Sequence, residues 1–286
     1  MKQILILGSQ GQLGFDLTRV LENQFKVTAL THEQADILEF DAIQAILLTA
    51  KPDIVINATA YNKVEQAEEE KDFAFLINST AVGNLAKICQ KNNVIFIHVS
   101  TDYVFDGSQE FFIEQDVPNP LNEYGASKLA GEELVQASEV KYYLIRTSTV
   151  FGISQSSQKM NFVDKMISMA KAGKALKVVN DQIMCPTYSL DLALKIKELV
   201  DKSAPFGLYH ITNQGSCSWY DLAKKSLELM NINAKIEPIV SEDSGSKVKR
   251  PKKSILKNLA LENIGLKPMP IWQDALSRYL KEKYKF

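Results

Sequence analysis

The sequence predicts an α/β protein built on a doubly wound parallel sheet, followed by a smaller mixed C-terminal lobe. Two observations support this fold class: short apolar runs alternate with longer helical stretches over the first half, and this alternation stops near residue 150. A third is a glycine-rich loop between the first run and the first helix, which favours a Rossmann-type sheet. We expect one domain over residues 1–150 and a second lobe over 151–286, partly interleaved with it.

Five apolar runs predict the parallel strands. Each has five or six residues rich in Ile, Val, Leu or Tyr, as is typical of strands buried on both faces. They cover residues 3–7, 26–30, 53–57, 94–99 and 142–146. The stretches between them have apolar residues three and four positions apart, which predicts helices over 12–22, 40–49, 73–91 and 124–137. Right-handed crossovers would then place helices on both faces of the sheet.

The second half is less regular. Apolar spacing predicts helices over residues 161–172, 190–200, 220–230 and 271–283 and strands over 176–179 and 208–211. A basic stretch over residues 247–253 is predicted to be a loop.

Composition excludes several classes of protein. The 286 residues carry 33 Lys and Arg against 34 Asp and Glu, so no basic field indicates a nucleic-acid partner. No run is long enough to span a bilayer and the N-terminus lacks the features of a signal peptide, so we expect a cytoplasmic protein. The three cysteines and three histidines are scattered, which predicts neither a disulfide framework nor a metal site.

The glycine-rich loop predicts a dinucleotide site. Gly8, Gly11 and Gly14 form a G-x-x-G-x-x-G pattern at the first strand–helix junction, with Gln12 and Leu13 at the helix start. Glycines allow the tight turn and a close approach to phosphate, and the helix N-terminus offers N–H groups to a pyrophosphate. Residues 1–150 are therefore predicted to bind NAD(P).

The end of the second strand bears on cofactor choice. It reads Ala29-Leu30-Thr31-His32, without the carboxylate that would bind the adenosine ribose and repel a 2′-phosphate. We therefore expect NADPH, with NADH left open. Asp36 and Ile37 follow and either contact the adenine or begin the next element.

Three residues predict carbonyl reduction. Tyr124 and Lys128 are four apart, on one face of a predicted helix, and Thr101 ends the fourth apolar run at the ligand-binding edge of the sheet. The lysine charge is expected to lower the pKa of Tyr124, making it a proton donor poised nearer neutral pH. Thr101 would hydrogen-bond the carbonyl oxygen, and Lys128 would also hold the nicotinamide ribose.

These motifs resemble the extended short-chain dehydrogenase/reductase family, and within it the dTDP-4-dehydrorhamnose reductase branch. The similarity rests on Ser100-Thr101-Asp102-Tyr103-Val104-Phe105 and on a cofactor loop, Asn57-Ala58-Thr59-Ala60-Tyr61. Arg146-Thr147-Ser148, Asn161-Phe162, Asp181-Gln182 with Pro186-Thr187, and Arg250-Pro251 with Ser254 match in order.

The resemblance implies reduction of the 4-keto group of a nucleotide-linked 6-deoxy-4-keto sugar, giving dTDP-L-rhamnose. It implies cofactor contacts from Ala58, Ala60 and Tyr61. Implied substrate contacts come from Thr101, Asp102, Tyr103, Thr149, Asn161 and Arg250, with Arg250 a candidate for the diphosphate.

The sequence departs from the branch at four places. Thr149 stands where the branch usually has a Trp that lines the sugar site, and Met184 replaces a glycine. Asn62 and Glu65 replace a Thr and an Asp. These changes leave the hexose open.

Three alternatives stay open at this point. One is a reductase of a different 4-keto sugar nucleotide. Another is a related dehydratase or epimerase, which the Tyr103 in place of a general-base Glu disfavours. The third is a non-catalytic NADP-binding regulatory subunit, which the intact Thr101, Tyr124 and Lys128 disfavour. A homodimer also stays open.

Overall fold

The computed structural model describes residues 1–155 and 160–285. Its first half contains five parallel strands at the predicted places, each beginning and ending within two residues of the prediction. They are β1 (Gln3–Leu7), β2 (Lys26–Leu30), β3 (Ile54–Asn57), β4 (Ile95–Thr101) and β5 (Tyr142–Thr147).

The helices between these strands are α1 (Gln12–Leu21), α2 (Phe40–Ala50), α3 (Val64–Ala67), α4 (Lys71–Phe75), α5 (Ala81–Lys91) and α6 (Glu123–Ala137). The single helix predicted over 73–91 is wrong in one respect, because a π-helical turn, Leu76–Thr80, separates α4 from α5. At this turn Asn78 is buried and hydrogen-bonds the backbone of Tyr61 and the hydroxyl of Ser127. Such a turn places a polar side chain where a regular helix would not.

The second half contains short strands and five helices among its described residues. The strands are β6 (Val150–Phe151), β7 (Leu176–Val179), β8 (Ile183–Met184), β9 (Thr187–Tyr188), β10 (Gly207–His210), β11 (Cys217–Ser218) and β12 (Ile236–Ile239). The helices are α7 (Phe162–Lys171), α8 (Ser189–Asp201), α9 (Trp219–Leu229), α10 (Leu259–Asn263) and α11 (Trp272–Tyr284).

The main sheet has six parallel strands in the order β10-β5-β4-β3-β1-β2. This confirms the predicted Rossmann-type fold class. The edge strand β10 comes from the second half of the chain, whereas β7 with β12, β8 with β11 and β6 with β9 form separate two-stranded sheets. The division at residue 150 stays a prediction.

Successive residues of β1 point to opposite faces of the sheet and into different cores. Ile4 and Ile6 pack with residues of α1 and α8, and Leu5 and Leu7 pack with residues of α2 and α5. A third core lies among α7, α9 and α11, in the second half of the chain. None of the helices in the described residues is long and apolar enough to cross a membrane.

A buried polar cluster joins α1 to the C-terminal helices. Asp16 is fully buried; it accepts a hydrogen bond from Ser189 of α8 and pairs with Arg19, which also pairs with Glu282 of α11. Because breaking a buried ion pair leaves an uncompensated charge, this cluster fixes α8 and α11 against α1.

Gly14 is the tightest point of the first strand–helix junction. A Cβ there would lie 2.1 Å from the carbonyl oxygen of Gly8, whereas a Cβ at Gly11 would lie 3.4 Å from the same oxygen. We expect Gly14→Ala to lower the free energy of unfolding by about 2 kcal/mol or more, and the matched Gly11→Ala to change it by less than about 1 kcal/mol. Urea unfolding of both variants would measure this, and equal losses would contradict the packing account.

Candidate active site

A cavity of about 360 Å³ opens at the carboxyl ends of the parallel strands. Open α/β sheets bind their ligands at this edge. Its walls come from the loops after β1 and β3, the ends of β4 and β5, helix α6, and one residue of the second lobe. The lining residues are Gly11, Gln12, Leu13, Ala58, Thr59, Ala60, Asn62, Val64, Val99, Ser100, Thr101, Asp102, Tyr103, Tyr124, Lys128, Thr147, Thr149, Val150 and Trp219.

The glycine-rich loop forms one end of this cavity. Gly8 adopts a φ of 85°, and the loop folds back so that the N–H groups of Gly8 and Ser9 donate to the carbonyl of Leu30. Gly11 caps α1, and its first turn receives no side-chain cap. Gln12 Oε1 is buried without a hydrogen-bond partner in the described part of the chain. The N–H groups of this first turn fit a dinucleotide phosphate, whereas the Gln12 oxygen can only accept and so fits an N–H or O–H donor.

Only some of the other predicted cofactor residues line the cavity. Ala58 and Ala60 do. Asp36 instead accepts from the backbone N–H of Leu38, and Ile37 is buried in the core beneath α2 and α5. Tyr61 is buried, and its hydroxyl donates to Glu70 over 2.6 Å. Contacts of these three residues with a cofactor stay predictions.

The catalytic candidates meet at the junction of β4 and α6. Asn122 caps α6 by accepting a hydrogen bond of 2.8 Å from the N–H of Gly125. A Cβ at Gly125 would lie 2.2 Å from the carbonyl oxygen of Tyr103, so only glycine lets α6 pack this closely. As a result Tyr124 and Lys128 line the same cavity as Thr101.

Burial dominates the electrostatics of Tyr124. It raises the pKa of Tyr124 to about 12; a hydrogen bond with Thr101 lowers it, and the charge of Asp102 adds to the rise. The predicted lowering of this pKa by Lys128 is therefore wrong for the protein alone. Tyr124 keeps its proton at neutral pH, and a proton donor must be in this form.

Lys128 turns toward β4 rather than toward solvent. Its Nζ donates to the carbonyl of Val99 over 2.7 Å and lies 3.3 Å from Nε2 of His98. Because its side chain is only 1% exposed, burial lowers the pKa of Lys128 to about 8, although the charge of Glu132 raises it. A buried amine of this kind exchanges its proton near neutral pH.

Asp102 begins a short 3₁₀ turn, Asp102–Val104, directly after β4. Its carboxylate accepts hydrogen bonds from Ser148 (2.8 Å) and Thr101 (3.1 Å). Burial raises the pKa of Asp102 to about 6, against the opposing effect of hydrogen bonds from Ser254, Ser148 and Thr101. The carboxylate therefore orients Thr101 at the reactive end of the cavity.

Arg250 reaches the site through Tyr103, whose ring packs edge-on against Tyr124 with centroids 5.8 Å apart. Arg250 hydrogen-bonds Ser246 over 2.7 Å and Glu65 over 2.6 Å, and it interacts with the hydroxyl of Tyr103. Although burial is the largest single effect and lowers the pKa of Arg250, the hydrogen bonds and charges of Glu65 and Tyr103 together outweigh it and raise this pKa. Arg250 lies behind the lining residues, and Glu65 holds its guanidinium in place.

Of the remaining residues predicted to contact the substrate, Thr149 lines the cavity and Asn161 does not. Thr149 lines the cavity in a left-handed conformation, with a φ of 43°, which is unusual for a β-branched residue. Asn161 lies outside the lining: it caps α7 and donates to Gly152 and Tyr279. Met184 is buried in the second-lobe core, where it pairs with Cys217.

Two residues of the site were not predicted from the sequence. Trp219 lines the cavity from the first position of α9, after a capping box between Ser218 and Asp221. This capping box marks the start of a helix, but nothing in the sequence indicates that the helix borders the cavity. His98 is fully buried beside Lys128; the signal was one polar residue inside the apolar run of β4.

Comparison with known proteins agrees with this geometry. The sequence-family model described as RmlD substrate binding domain matches residues 1–285. The chain belongs to the dTDP-4-dehydrorhamnose reductase family.

Individual relatives match over nearly their whole length. The spore coat polysaccharide biosynthesis protein SpsK of Bacillus subtilis is 37% identical, covering 99% of this chain and 98% of that protein. The dTDP-4-dehydrorhamnose reductase of Aggregatibacter actinomycetemcomitans is 36% identical, covering 96% and 97%. The structure of dTDP-4-dehydrorhamnose reductase from Bacillus anthracis in complex with NADP has a TM-score of 0.94 and 36% identity, covering 99% and 100%.

The raised pKa of Asp102 gives a prediction for stability. A carboxyl whose pKa rises from 3.8 to about 6 on folding costs stability once it ionises, by at most about 3 kcal/mol. The cost is absent below pH 3.8, grows between there and pH 6, and is complete above pH 6. We expect Asp102→Asn to unfold at higher urea than the wild type at pH 8, with the difference disappearing at pH 4.

The urea midpoints at the two pH values measure this directly. An equal difference at both would contradict burial as the cause. Asp106→Asn is the control, since Asp106 is partly exposed and its hydrogen bonds with Ser108 and Asn119 lower its pKa. That variant should lose stability at pH 8.

Proposed function

We propose that this protein catalyses the NADPH-dependent reduction of the 4-keto group of a nucleotide-linked 6-deoxy-4-keto sugar, converting dTDP-4-dehydro-L-rhamnose to dTDP-L-rhamnose. One observation carries the proposal: Thr101, Tyr124 and Lys128 line the cavity that the glycine-rich loop closes at its other end. In a member of this reductase family, that arrangement supplies a proton donor beside a dinucleotide site.

The residues present fit NADPH. The N–H groups of Gly11 and the first turn of α1 would hold the pyrophosphate, and the Gln12 oxygen would accept from a cofactor hydroxyl. Ala58 and Ala60 would flank the adenosine half. No carboxylate follows β2 directly, and Asp36, further on, uses one carboxylate oxygen on Leu38. Thr31 and His32, the first two residues after β2, therefore bring no negative charge to a 2′-phosphate, whereas Glu33 and Asp36 further on are carboxylates. When bound, the reduced nicotinamide supplies the hydride.

The protein's own residues handle the proton. Tyr124, protonated at neutral pH, donates its phenolic proton to the carbonyl oxygen as that oxygen gains negative charge. The single hydroxyl hydrogen of Thr101, which Asp102 accepts here over 3.1 Å, would turn to the same oxygen and stabilise the developing charge. Lys128 provides a nearby group whose proton exchanges near neutral pH.

The nucleotide sugar would lie across the open side of the cavity. Arg250 and Tyr103 are our candidates for the diphosphate, because a guanidinium makes charge-assisted contacts with phosphate oxygens. Trp219 and Thr149 would border the sugar. This aromatic–threonine pair is the observation that favours a second candidate, a reductase of a different 4-keto hexose. We propose a cytoplasmic enzyme and leave a homodimer open.

Cofactor oxidation tests the proposal. The absorbance of NADPH and NADH would be followed with dTDP-4-dehydro-L-rhamnose as substrate, and we expect rapid oxidation of NADPH. Tight NADPH binding with no oxidation would contradict this substrate. Turnover of another 4-keto sugar nucleotide would then support the second candidate, and no turnover of any would indicate a regulatory subunit.

Tyr124→Phe should lower kcat by about 10²–10⁴-fold, because it removes only the proton donor. The Kd for NADPH, measured by fluorescence titration, should stay within about twofold. Tyr142→Phe is the matched control, since Tyr142 starts β5 at the end of the sheet opposite the cavity. Near-normal turnover of Tyr124→Phe would overturn its role.

Arg250→Ala should raise KM for the nucleotide sugar by about 10–100-fold and lower kcat much less, as expected for the loss of a charged hydrogen bond to the bound substrate. The control is Lys253→Ala, in the same basic loop, where the ammonium is exposed and lies 3.7 Å from Glu110. Steady-state kinetics with both variants decide the point. Equal KM values for Arg250→Ala and Lys253→Ala would indicate that Arg250 has only a structural role.

A further inference from the structure

A buried polar chain links the cofactor loop to Lys128. Asn57, His98 and Lys128 are each at most 1% exposed. The amide nitrogen of Asn57 lies 3.2 Å from Nδ1 of His98, and Nε2 of His98 lies 3.3 Å from Nζ of Lys128. At the other end, Thr59 hydrogen-bonds Asn57, and both Thr59 and Lys128 line the cavity.

The direction of these hydrogen bonds is fixed from the backbone. The N–H of Thr59 can only donate, and it donates to Oδ1 of Asn57 over 3.1 Å, as does the Thr59 hydroxyl over 2.6 Å. The NH₂ group of Asn57 therefore faces His98, and Nδ1 of His98 must accept. Burial alone, the largest effect on His98, lowers its pKa well below the usual range, so the ring is neutral. Its one proton then lies on Nε2.

That proton points at Lys128. An ammonium group has three donors and no lone pair, so it cannot accept from Nε2–H. The uncharged amine can accept there while still donating to the carbonyl of Val99 over 2.7 Å. We propose that His98 is a positioning residue: Asn57 locks its proton on Nε2, and this N–H favours the uncharged amine of Lys128.

The other charged groups near Lys128 do not cancel this effect. On its own helix, Tyr124 is neutral and Glu132 is the group whose charge favours the ammonium. Glu132 is bound to Arg146 of β5 over 2.6 Å and accepts a hydrogen bond from Ser100, so its charge is already paired. From β3, only the uncharged Asn57 takes part in this row of hydrogen-bonded side chains.

The inference rests on the proposed function for its consequence. The loop that contains Thr59 flanks the cofactor site, so its geometry sets the amide of Asn57, the tautomer of His98 and the proton content of Lys128 in turn. The contacts of Thr59, Asn57 and His98 thus tie the proton supply beside Tyr124 to the cofactor loop.

The tautomer of His98 tests this directly in the full-length protein without cofactor. Long-range ¹⁵N–¹H spectra of ¹⁵N-histidine protein report which ring nitrogen carries the proton, and the His98→Gln variant assigns the His98 signals. We expect the proton on Nε2 and a neutral ring at neutral pH. A proton on Nδ1 overturns the proposal, whatever the variants below do.

Two variants then test the effect on Lys128, whose ¹³Cε shift follows its protonation and is assigned with Lys128→Met. Asn57→Asp accepts from Nδ1–H, and Asn57→Ser removes the amide donor without adding charge. Both should raise the proton affinity of Lys128 at least tenfold and move the His98 proton to Nδ1. Thermal unfolding confirms that each variant is folded.

If only Asn57→Asp raised the proton affinity of Lys128, the effect would come from the added charge, and the tautomer mechanism would be overturned. If neither variant raised this affinity, the mechanism would be overturned as well. These readouts need no turnover. A protein that oxidised no NADPH with any keto sugar would therefore refute the proposed function while leaving the NMR result to stand or fall separately.

Discussion

The site depends on the close packing of α6 against the 3₁₀ turn that follows β4 and against the π-helical turn, Leu76–Thr80. Gly125 and Gly131 allow it, because a Cβ at these positions would lie 2.2 Å and 2.1 Å from the carbonyl oxygens of Tyr103 and Asn78. Glu132 then reaches through to Arg146 and Ser100, forming a buried ion pair whose disruption would leave an unpaired charge. This contact fixes the helix that presents Tyr124 and Lys128 to the cavity.

Burial that results from this packing gives the two catalytic candidates their protonation states. Desolvation favours the neutral form of both groups, raising the pKa of Tyr124 to about 12 and lowering that of Lys128 to about 8. The tyrosine is therefore held ready to donate, which suits reduction of a carbonyl. The same packing places His98 behind Lys128. There the uncharged amine of Lys128 can accept a hydrogen bond from Nε2–H of His98, whereas the ammonium cannot.

Much of the fold and of the site could be predicted because its signals are local. Buried parallel strands are continuous apolar runs, so β1 to β5 were found within two residues, and the glycine spacing predicted the loop that ends at Gly14. The π turn at Leu76–Thr80 could not be predicted, because Asn78 owes its place to partners on Tyr61 and Ser127. Nor could the pKa of Lys128, which depends on burial against Val99, or the place of Trp219, which depends on how the second lobe packs. Spacing four residues apart fixes a shared helix face but not what that face meets.

The destination of the hydride tests the central claim most directly. The protein would be incubated with dTDP-4-dehydro-L-rhamnose and NADPH deuterated at the transferable C4 position, and the sugar product examined by ¹H NMR. A reductase of the kind described here places one deuterium at C4 of dTDP-L-rhamnose, with one NADPH consumed for each sugar. A product without deuterium, or deuterated elsewhere, would contradict direct reduction of the 4-keto group at this site.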